Sequence, residues 1–279
     1  MGATGMLGHT LMRVLDETPS INVSGVARSD ATVQRLAPRL RARVKAGFHA
    51  EDAASLARVL HETRPDVVVN CIGIVKQLAA AFDPSVVMSV NAEFPHRLVE
   101  ACSAASARLV HISTDCVFSG QRGAYCEADA PDATDLYGRS KLLGEVDAPH
   151  AVTLRTSIIG PELNAANGLL AWFMAQHGEL PGYTRAVFSG LPTVELARAI
   201  RDHLLALPAL RGVYHVAAEA VSKFDLLRLI AEAYAHPVTL RAVDEPVIDR
   251  SLDGRRFGTA TDFVAAPWPA LVERMRRFG

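Results

Sequence analysis

Tyr137 and Lys141 stand four residues apart in the segment Tyr137-Gly138-Arg139-Ser140-Lys141. On a helix this spacing places a phenol and an ammonium on one face. A cation beside a phenol favours phenolate and lowers the tyrosine pKa toward working pH, which suits proton transfer to a reacting oxygen. Upstream, an apolar run ends in Ser113-Thr114-Asp115. A hydroxyl there can hydrogen-bond a carbonyl held beside the tyrosine. A tyrosine–lysine pair also occurs on ordinary amphipathic helices; the strand-end threonine in front of it is what points to chemistry.

A second group of residues points to a phosphate. Gly2, Gly5 and Gly8 give G-A-T-G-M-L-G at the mouth of a helix. The glycines permit a tight turn and a close approach of backbone to a pyrophosphate, with a helix N-terminus facing the charge. Gly2, Gly5, Met6, Leu7 and Gly8 are therefore expected to cradle a dinucleotide, although the spacing is GxxGxxG rather than GxGxxG. Twenty residues after Gly8 comes Arg28, followed by Ser29. An arginine at the end of a second strand accommodates a 2′-phosphate and favours NADP, whereas an acidic residue would favour NAD. Asp30 lies close by and keeps NAD open.

These residues need a sheet to position them. Apolar runs at Ile21–Ala27, Asp66–Ile74, Arg108–Ser113 and Ala151–Ile159 read as strands buried on both faces. Between them, Met6–Leu15 and Ser85–Cys102 show apolar residues spaced three or four apart. Strand–helix alternation predicts an α/β fold, a Rossmann-type doubly wound parallel sheet. A glycine-rich turn normally follows a strand, and here it begins at Gly2. The expectation is therefore that the first strand is missing from this chain, with Met1 an internal methionine and a few residues lost upstream.

After Gly160 the pattern becomes irregular. Helices are expected at Gly168–Gln176, Thr193–Leu207, Lys223–Tyr234 and Pro269–Arg277, and a strand at Gly212–Ala217. The expected division is a dinucleotide-binding domain over residues 1–160, with return segments near 187–218. A smaller interleaved substrate lobe takes 161–186 and 219–279.

The chain has 279 residues with 49% hydrophobic and 21% charged, which excludes a disordered polyelectrolyte. A net charge of −1 gives no pull toward nucleic acid or anionic lipid. No apolar run approaches the roughly 20 residues of a membrane span. Four cysteines without a CxxC pair fit a reduced, cytoplasmic setting. The ten histidines show no metal-ligand spacing, so no metal is expected.

Taken together, GATGMLG, RPDVVVNCIG (64–73), VNAEFP (90–95), STDCVFSG (113–120), YGRSKLLGE (137–145), LRTSIIG (154–160) and GLPTVELA (190–197) resemble the extended short-chain dehydrogenase/reductase family. The similar branch is that of the nucleotide-sugar 4-keto reductases of dTDP-4-dehydrorhamnose reductase type. The resemblance implies that Thr114, Tyr137 and Lys141 form the catalytic set. It implies that Asn70, Cys71 and Gly73 line the cofactor by backbone, that Asn91 supports the site and that Thr156 lies near the nicotinamide. The implied function is NADPH-dependent reduction of the C4 keto group of a nucleotide-linked 4-keto-6-deoxy sugar, by a protein that is usually a homodimer.

There are departures. The family reductases have tyrosine after STD; this chain has Cys116. Combined epimerase/reductases place a cysteine two residues after their catalytic hydroxyl, as Cys116 follows Thr114. Their partner acid is a histidine just after Gly-Pro, where this chain has Glu162. Cys116 is therefore either a small filler beside the substrate or an epimerase acid/base. Lys76, in Ile74–Gln77, meets a phosphate, a sugar hydroxyl or solvent. An epimerase and a non-catalytic NADP-binding regulatory subunit stay open as alternatives.

Overall fold

A computed structural model describes residues 1–76, 83–163 and 168–279 of the chain. Gln77 lies outside the described residues. The first helix, α1 (Met6–Asp16), turns Leu7, Leu11, Val14 and Leu15 inward. It packs on α5 (Thr193–Ala199), where the Thr10 hydroxyl donates to Thr193 Oγ1 at 3.1 Å.

The site-bearing strands are parallel and fall into two hydrogen-bonded groups. One group pairs β1 (Gly25–Val26) with β2 (Val44–Lys45). The other has the order β6-β5-β4-β3, with β3 Val67–Asn70, β4 Arg108–Thr114, β5 Ala151–Thr156 and β6 Gly212–His215. All six residues of β5 and six of the seven in β4 are buried, as expected for parallel strands covered on both faces. Helices α2 (Ala53–Thr63) and α3 (Phe94–Ala104) pack together, and their apolar faces meet Val68 and Leu109 of the sheet. The expected strands at Ile21–Ala27 and Asp66–Ile74 are shorter than their apolar runs, because pairing partners and not apolarity set strand ends.

The expected single helix Ser85–Cys102 is three pieces. A short helix Pro84–Met88 and α3 flank a wide π turn at Ser89–Glu93. Pro95 has no N–H to give the Asn91 carbonyl, so the helical ladder lapses there. Gly144 fills the opening: a Cβ on it would overlap that carbonyl oxygen. The distortion turns the buried Asn91 side chain toward the sheet edge. A π turn (Ile200–Leu204) also ends the expected helix Thr193–Leu207 early.

Beyond Gly160 the chain interleaves with the sheet. Residues 158–159 pair with 191–192, and β6 returns to the edge of the main sheet. Residues 178–183 pair with 238–243, and 186–188 pair with 221–222 and 248–249 outside it. No helix among the described residues is long and apolar enough to cross a membrane.

Candidate active site

The tyrosine and lysine sit on α4 (Leu136–Leu143), whose N-terminus is capped by Asp135. Its carboxylate accepts the Gly138 N–H at 2.8 Å. Gly138 is required there, since a Cβ would overlap the Cys116 carbonyl oxygen. Thr114 closes β4 beside this helix. Its hydroxyl donates to Asp115 Oδ1 at 3.1 Å and accepts the Cys116 N–H at 3.1 Å. The Tyr137 phenol is hydrogen-bonded to the same hydroxyl. The one threonine proton is given to Asp115, so the phenol is the donor to Thr114. Hydroxyl and phenol thus point at one spot at the carboxyl edge of the sheet.

One expectation is overturned. The tyrosine pKa was expected to fall; burial pushes it up, and the neighbouring Cys116, Asp115 and Asp135 reinforce the rise. The Lys141 ammonium does not offset this, because it donates elsewhere, to the Ile112 carbonyl at 2.8 Å. Tyr137 is therefore a neutral phenol, a proton donor rather than a phenolate base. Burial also lowers the Lys141 pKa from 10.5 to about 8, against the opposing charge of Glu145.

A buried ion pair lies behind the lysine. Glu145 accepts from Arg155 Nε at 2.8 Å, from Arg155 Nη2 at 2.7 Å and from the Ser113 hydroxyl at 2.7 Å. It ties the end of α4 to β4 and β5. Asn91 does the same for the loop after β3: its side-chain oxygen accepts the Ile74 N–H at 2.8 Å, and its amide donates to Ile74 O at 3.0 Å and Ser140 Oγ at 3.1 Å. Asn70 is turned into the core, where its amide meets His111 Nδ1 at 3.1 Å and its oxygen accepts the Ile72 N–H at 3.0 Å. It shapes the turn through its side chain. Gly73 lies against Asn91 and Lys141, with 3.9 Å between a built Cβ and the lysine nitrogen. Burial pushes the Cys71 thiol up to about 11, so it stays protonated.

The glycine turn fits a dinucleotide phosphate. Gly2 has φ +73, and a Cβ on Gly8 would overlap the Gly2 carbonyl oxygen. Gly5 is exposed and precedes α1 without a capping side chain; its own N–H donates to the Gly2 carbonyl at 3.1 Å, which leaves the first-turn N–H groups of Met6 and Leu7 without a partner inside the helix. Arg28 is exposed just past β1, and Ser29 caps the next helical turn by accepting the Thr32 N–H at 3.4 Å. Thr156 ends β5 directly beside Thr114, buried, with its hydroxyl on the Ser157 carbonyl at 3.2 Å. The cradle, Arg28 and the Tyr137 face thus line one edge of the sheet, as an extended dinucleotide requires.

Three remaining candidates are engaged locally. Lys76 forms an ion pair with Asp135 at 2.7 Å, so it braces the tyrosine helix. Glu162 accepts the Gly168 N–H at 2.7 Å, just before the helix Leu169–Met174. That leaves no support for Glu162 as acid partner to Cys116. The Cys116 thiol, pushed up to about 12 by burial and by Asp115, is not a ready base. Among the described residues, no cluster of His, Cys, Asp and Glu could hold a metal.

Sequence reasoning missed Asp115, Arg250 and Lys223. Burial raises the Asp115 pKa, opposed by hydrogen bonds from Thr114 and Cys116 and by the charges of Arg250 and Lys223. Arg250 Nε donates to the Phe118 carbonyl at 2.8 Å, holding a second-lobe cation at the end of β4. No spacing signal links residues so far apart in the chain.

Comparison with known proteins gives the family. The family model described as "RmlD substrate binding domain" matches residues 1–250. A dTDP-4-dehydrorhamnose reductase of Mycobacterium tuberculosis is 32% identical over 216 residues, covering 71% of this chain and 69% of its own. The methionine adenosyltransferase 2 subunit beta of Mus musculus is 23% identical over 99% of this chain and 88% of its own. A hypothetical dTDP-4-dehydrorhamnose reductase structure from Sulfolobus tokodaii superposes with TM-score 0.78 at 28% identity, covering 96% of each chain. The Bacillus anthracis dTDP-4-dehydrorhamnose reductase in complex with NADP gives TM-score 0.80 at 20% identity, over 100% of this chain and 97% of that one, a likeness of fold. With a glycine cradle, a tyrosine–lysine helix and a strand-end threonine on one sheet edge, and a family match over most of its length, the chain belongs to the RmlD substrate-binding-domain family of extended short-chain dehydrogenases/reductases.

Proposed function

We propose that this chain is an NADPH-dependent reductase of the C4 keto group of a nucleotide-linked 4-keto-6-deoxy sugar. The observation that carries the reading is the convergence of Thr114 and the neutral Tyr137 phenol on one spot, beside a cradle that fits a dinucleotide. The backbone of Gly2–Leu7 would hold the pyrophosphate, Arg28 the 2′-phosphate and Lys141 the nicotinamide ribose. NADPH supplies the hydride when bound. Thr114 orients the sugar carbonyl, and Tyr137 gives its proton to the oxygen as negative charge develops there. Asn91 and the Glu145–Arg155 pair keep the loop and helix in register. Arg250 and Lys223 supply positive charge from the second lobe, suited to a nucleotide diphosphate.

The similarity to dTDP-4-dehydrorhamnose reductases supports this substrate class. The complete Thr114, Tyr137 and Lys141 set favours turnover over binding alone. The test follows NADPH absorbance with dTDP-, UDP- and GDP-linked 4-keto-6-deoxy sugars beside Tyr137→Phe. Oxidation with one nucleotide that falls at least about 100-fold in the variant is expected. NADPH binding without oxidation of any of the three would sink the proposal.

A further inference from the structure

His215 closes β6, the edge strand of the main sheet, and is fully buried. Both of its ring nitrogens are committed. Nδ1 lies 2.9 Å from the Tyr125 carbonyl oxygen, which can only accept, so Nδ1 carries a proton. Nε2 lies 3.3 Å from Arg155 Nη1, which can only donate, so Nε2 accepts. The partners thus require a neutral imidazole in one tautomer.

Each contact leads to a different part of the site. Arg155 is held from two sides: Glu145 grips Nε and Nη2, and His215 receives Nη1. Glu145 in turn lies just past α4 and sets a negative charge near Lys141. On its other side, His215 meets a clasp between the lobes. Residues 120–125, between β4 and α4, run alongside residues 249–253 of the second lobe. Tyr125 N–H donates to Ser251 O at 2.9 Å, Asp253 N–H to Tyr125 O at 2.8 Å, and Asp249 N–H to Gly120 O at 2.7 Å. The Tyr125 ring stacks on Phe118 at 4.2 Å, and the His215 ring meets Phe118 edge-on at 5.8 Å. One imidazole therefore joins the clasp that carries Arg250 to the ion pair behind Lys141.

A second ring proton would undo this joint. It would set donor against donor and cation against cation at Arg155, in a dry interior. The charged groups facing the ring are Arg155 from β5, Glu145 behind it, Glu127 from the loop and Asp253 from the second lobe. The acids are taken elsewhere: Glu127 Oε1 by the His215 backbone N–H at 2.8 Å, and the Asp253 carboxylate by Arg255 Nε at 2.9 Å. Burial, helped by Arg155, accordingly holds the His215 pKa below the ordinary 6.5.

We propose that His215 is a positioning residue, and that the lobe clasp and the tyrosine–lysine helix are held as one unit only while its ring is neutral. It acts through Arg155 and Tyr125 rather than on a reacting atom. Its effect on turnover rests on the reductase reading; its effect on the clasp does not.

The test measures hydrogen-exchange protection of the Tyr125 and Asp253 amides at pH 7.5 and 5 in the parent and in His215→Gln. The Gln carboxamide keeps an acceptor toward Arg155 and cannot titrate. Acid is expected to cut protection of both amides at least about tenfold in the parent, with Val110 in β4 unchanged, and to leave His215→Gln unchanged. A loss of protection that survives in His215→Gln, or no loss in the parent once its ring is doubly protonated by nitrogen NMR, overturns the proposal; the parent arm decides even where the variant does not fold. In the kinetic arm, His215→Asn, which keeps the donor to Tyr125 but offers Arg155 nothing, should lower kcat about tenfold at pH 7.5 with the sugar KM within about threefold, and His215→Gln should recover most of it. Equal kcat in His215→Asn and parent overturns the role in turnover. A parent that never oxidises NADPH counts against the reductase reading alone, and the exchange arm still decides this one.

Discussion

The Glu145 carboxylate holds the Arg155 guanidinium in a two-point grip, at 2.8 Å from Nε and 2.7 Å from Nη2, with both side chains under a tenth exposed. This pair joins the segment just past the tyrosine helix to the strand that carries Thr156. It also places a negative charge near the Lys141 ammonium. The chemistry of the helix face thus depends on a pair that touches neither cofactor nor substrate.

Breaking that pair strands a buried guanidinium. Glu145→Gln is expected to cost about 3–5 kcal/mol in urea unfolding. Glu145→Gln combined with Arg155→Met should recover much of that loss. The Lys141 pKa should fall further in the single variant, because the charge that raises it is gone, and the matching limb of the pH–rate profile should move to lower pH. A cost under about 1 kcal/mol would show that the pair is not what holds the helix.

Lys141 sets a pH dependence of stability. Its folded pKa of about 8 lies below the ordinary 10.5 because of burial. Between those values the unfolded chain holds a proton that the native chain has released, so this group's contribution to stability rises with pH through the window. Below pH 8 the whole burial penalty is present, about 3 kcal/mol. Lys141→Met should relieve it, less about 1 kcal/mol for the lost bond to Ile112. The variant should lose turnover yet unfold at higher temperature than the parent at pH 7. That advantage should shrink in melting scans taken from pH 8 to 10.5. A variant less stable at pH 7 would contradict the burial penalty.

Arg28 tests the cofactor. Exposed beyond β1, it has room to meet a 2′-phosphate. Arg28→Ala should weaken NADPH binding about tenfold or more in titration calorimetry, the worth of one charge-assisted contact, while NADH changes less than about twofold. Equal loss for both cofactors would place the arginine elsewhere.

Cys116 separates reduction from epimerisation. With its thiol pushed up to about 12, little thiolate exists at neutral pH. Cys116→Ser is expected to keep turnover within about threefold, with no solvent deuterium entering the carbons beside C4 in either protein. Deuterium uptake by the parent that the variant lacks would establish an epimerase step.

Much of this site was legible in the residues. Four-residue spacing places Tyr137 and Lys141 on one helical face whatever surrounds them, and the glycine turn needs Gly2 and Gly8 for steric reasons local to the turn. Thr114 follows from ending a buried strand. The strand and helix ends were less legible, as the π turn at Ser89–Glu93 shows: it arises from Pro95 together with Gly144, which lies far along the chain and packs on the freed carbonyl.

The sequence by itself determined the alternation of buried strands and helices, and with it the sheet edge where the reactive groups gather, because periodicity and backbone sterics act within a few residues. Tertiary structure alone decided the protonation of those groups. Tyr137 is neutral and Lys141 weakened because burial outweighs the charge that Lys141 was expected to lend the tyrosine and the charge that Glu145 lends the lysine. Arg250 reaches the end of β4, and Glu145 finds Arg155, through contacts that only the folded chain creates. Desolvation and long-range pairing depend on what surrounds a group in space, and no spacing along the chain encodes that directly.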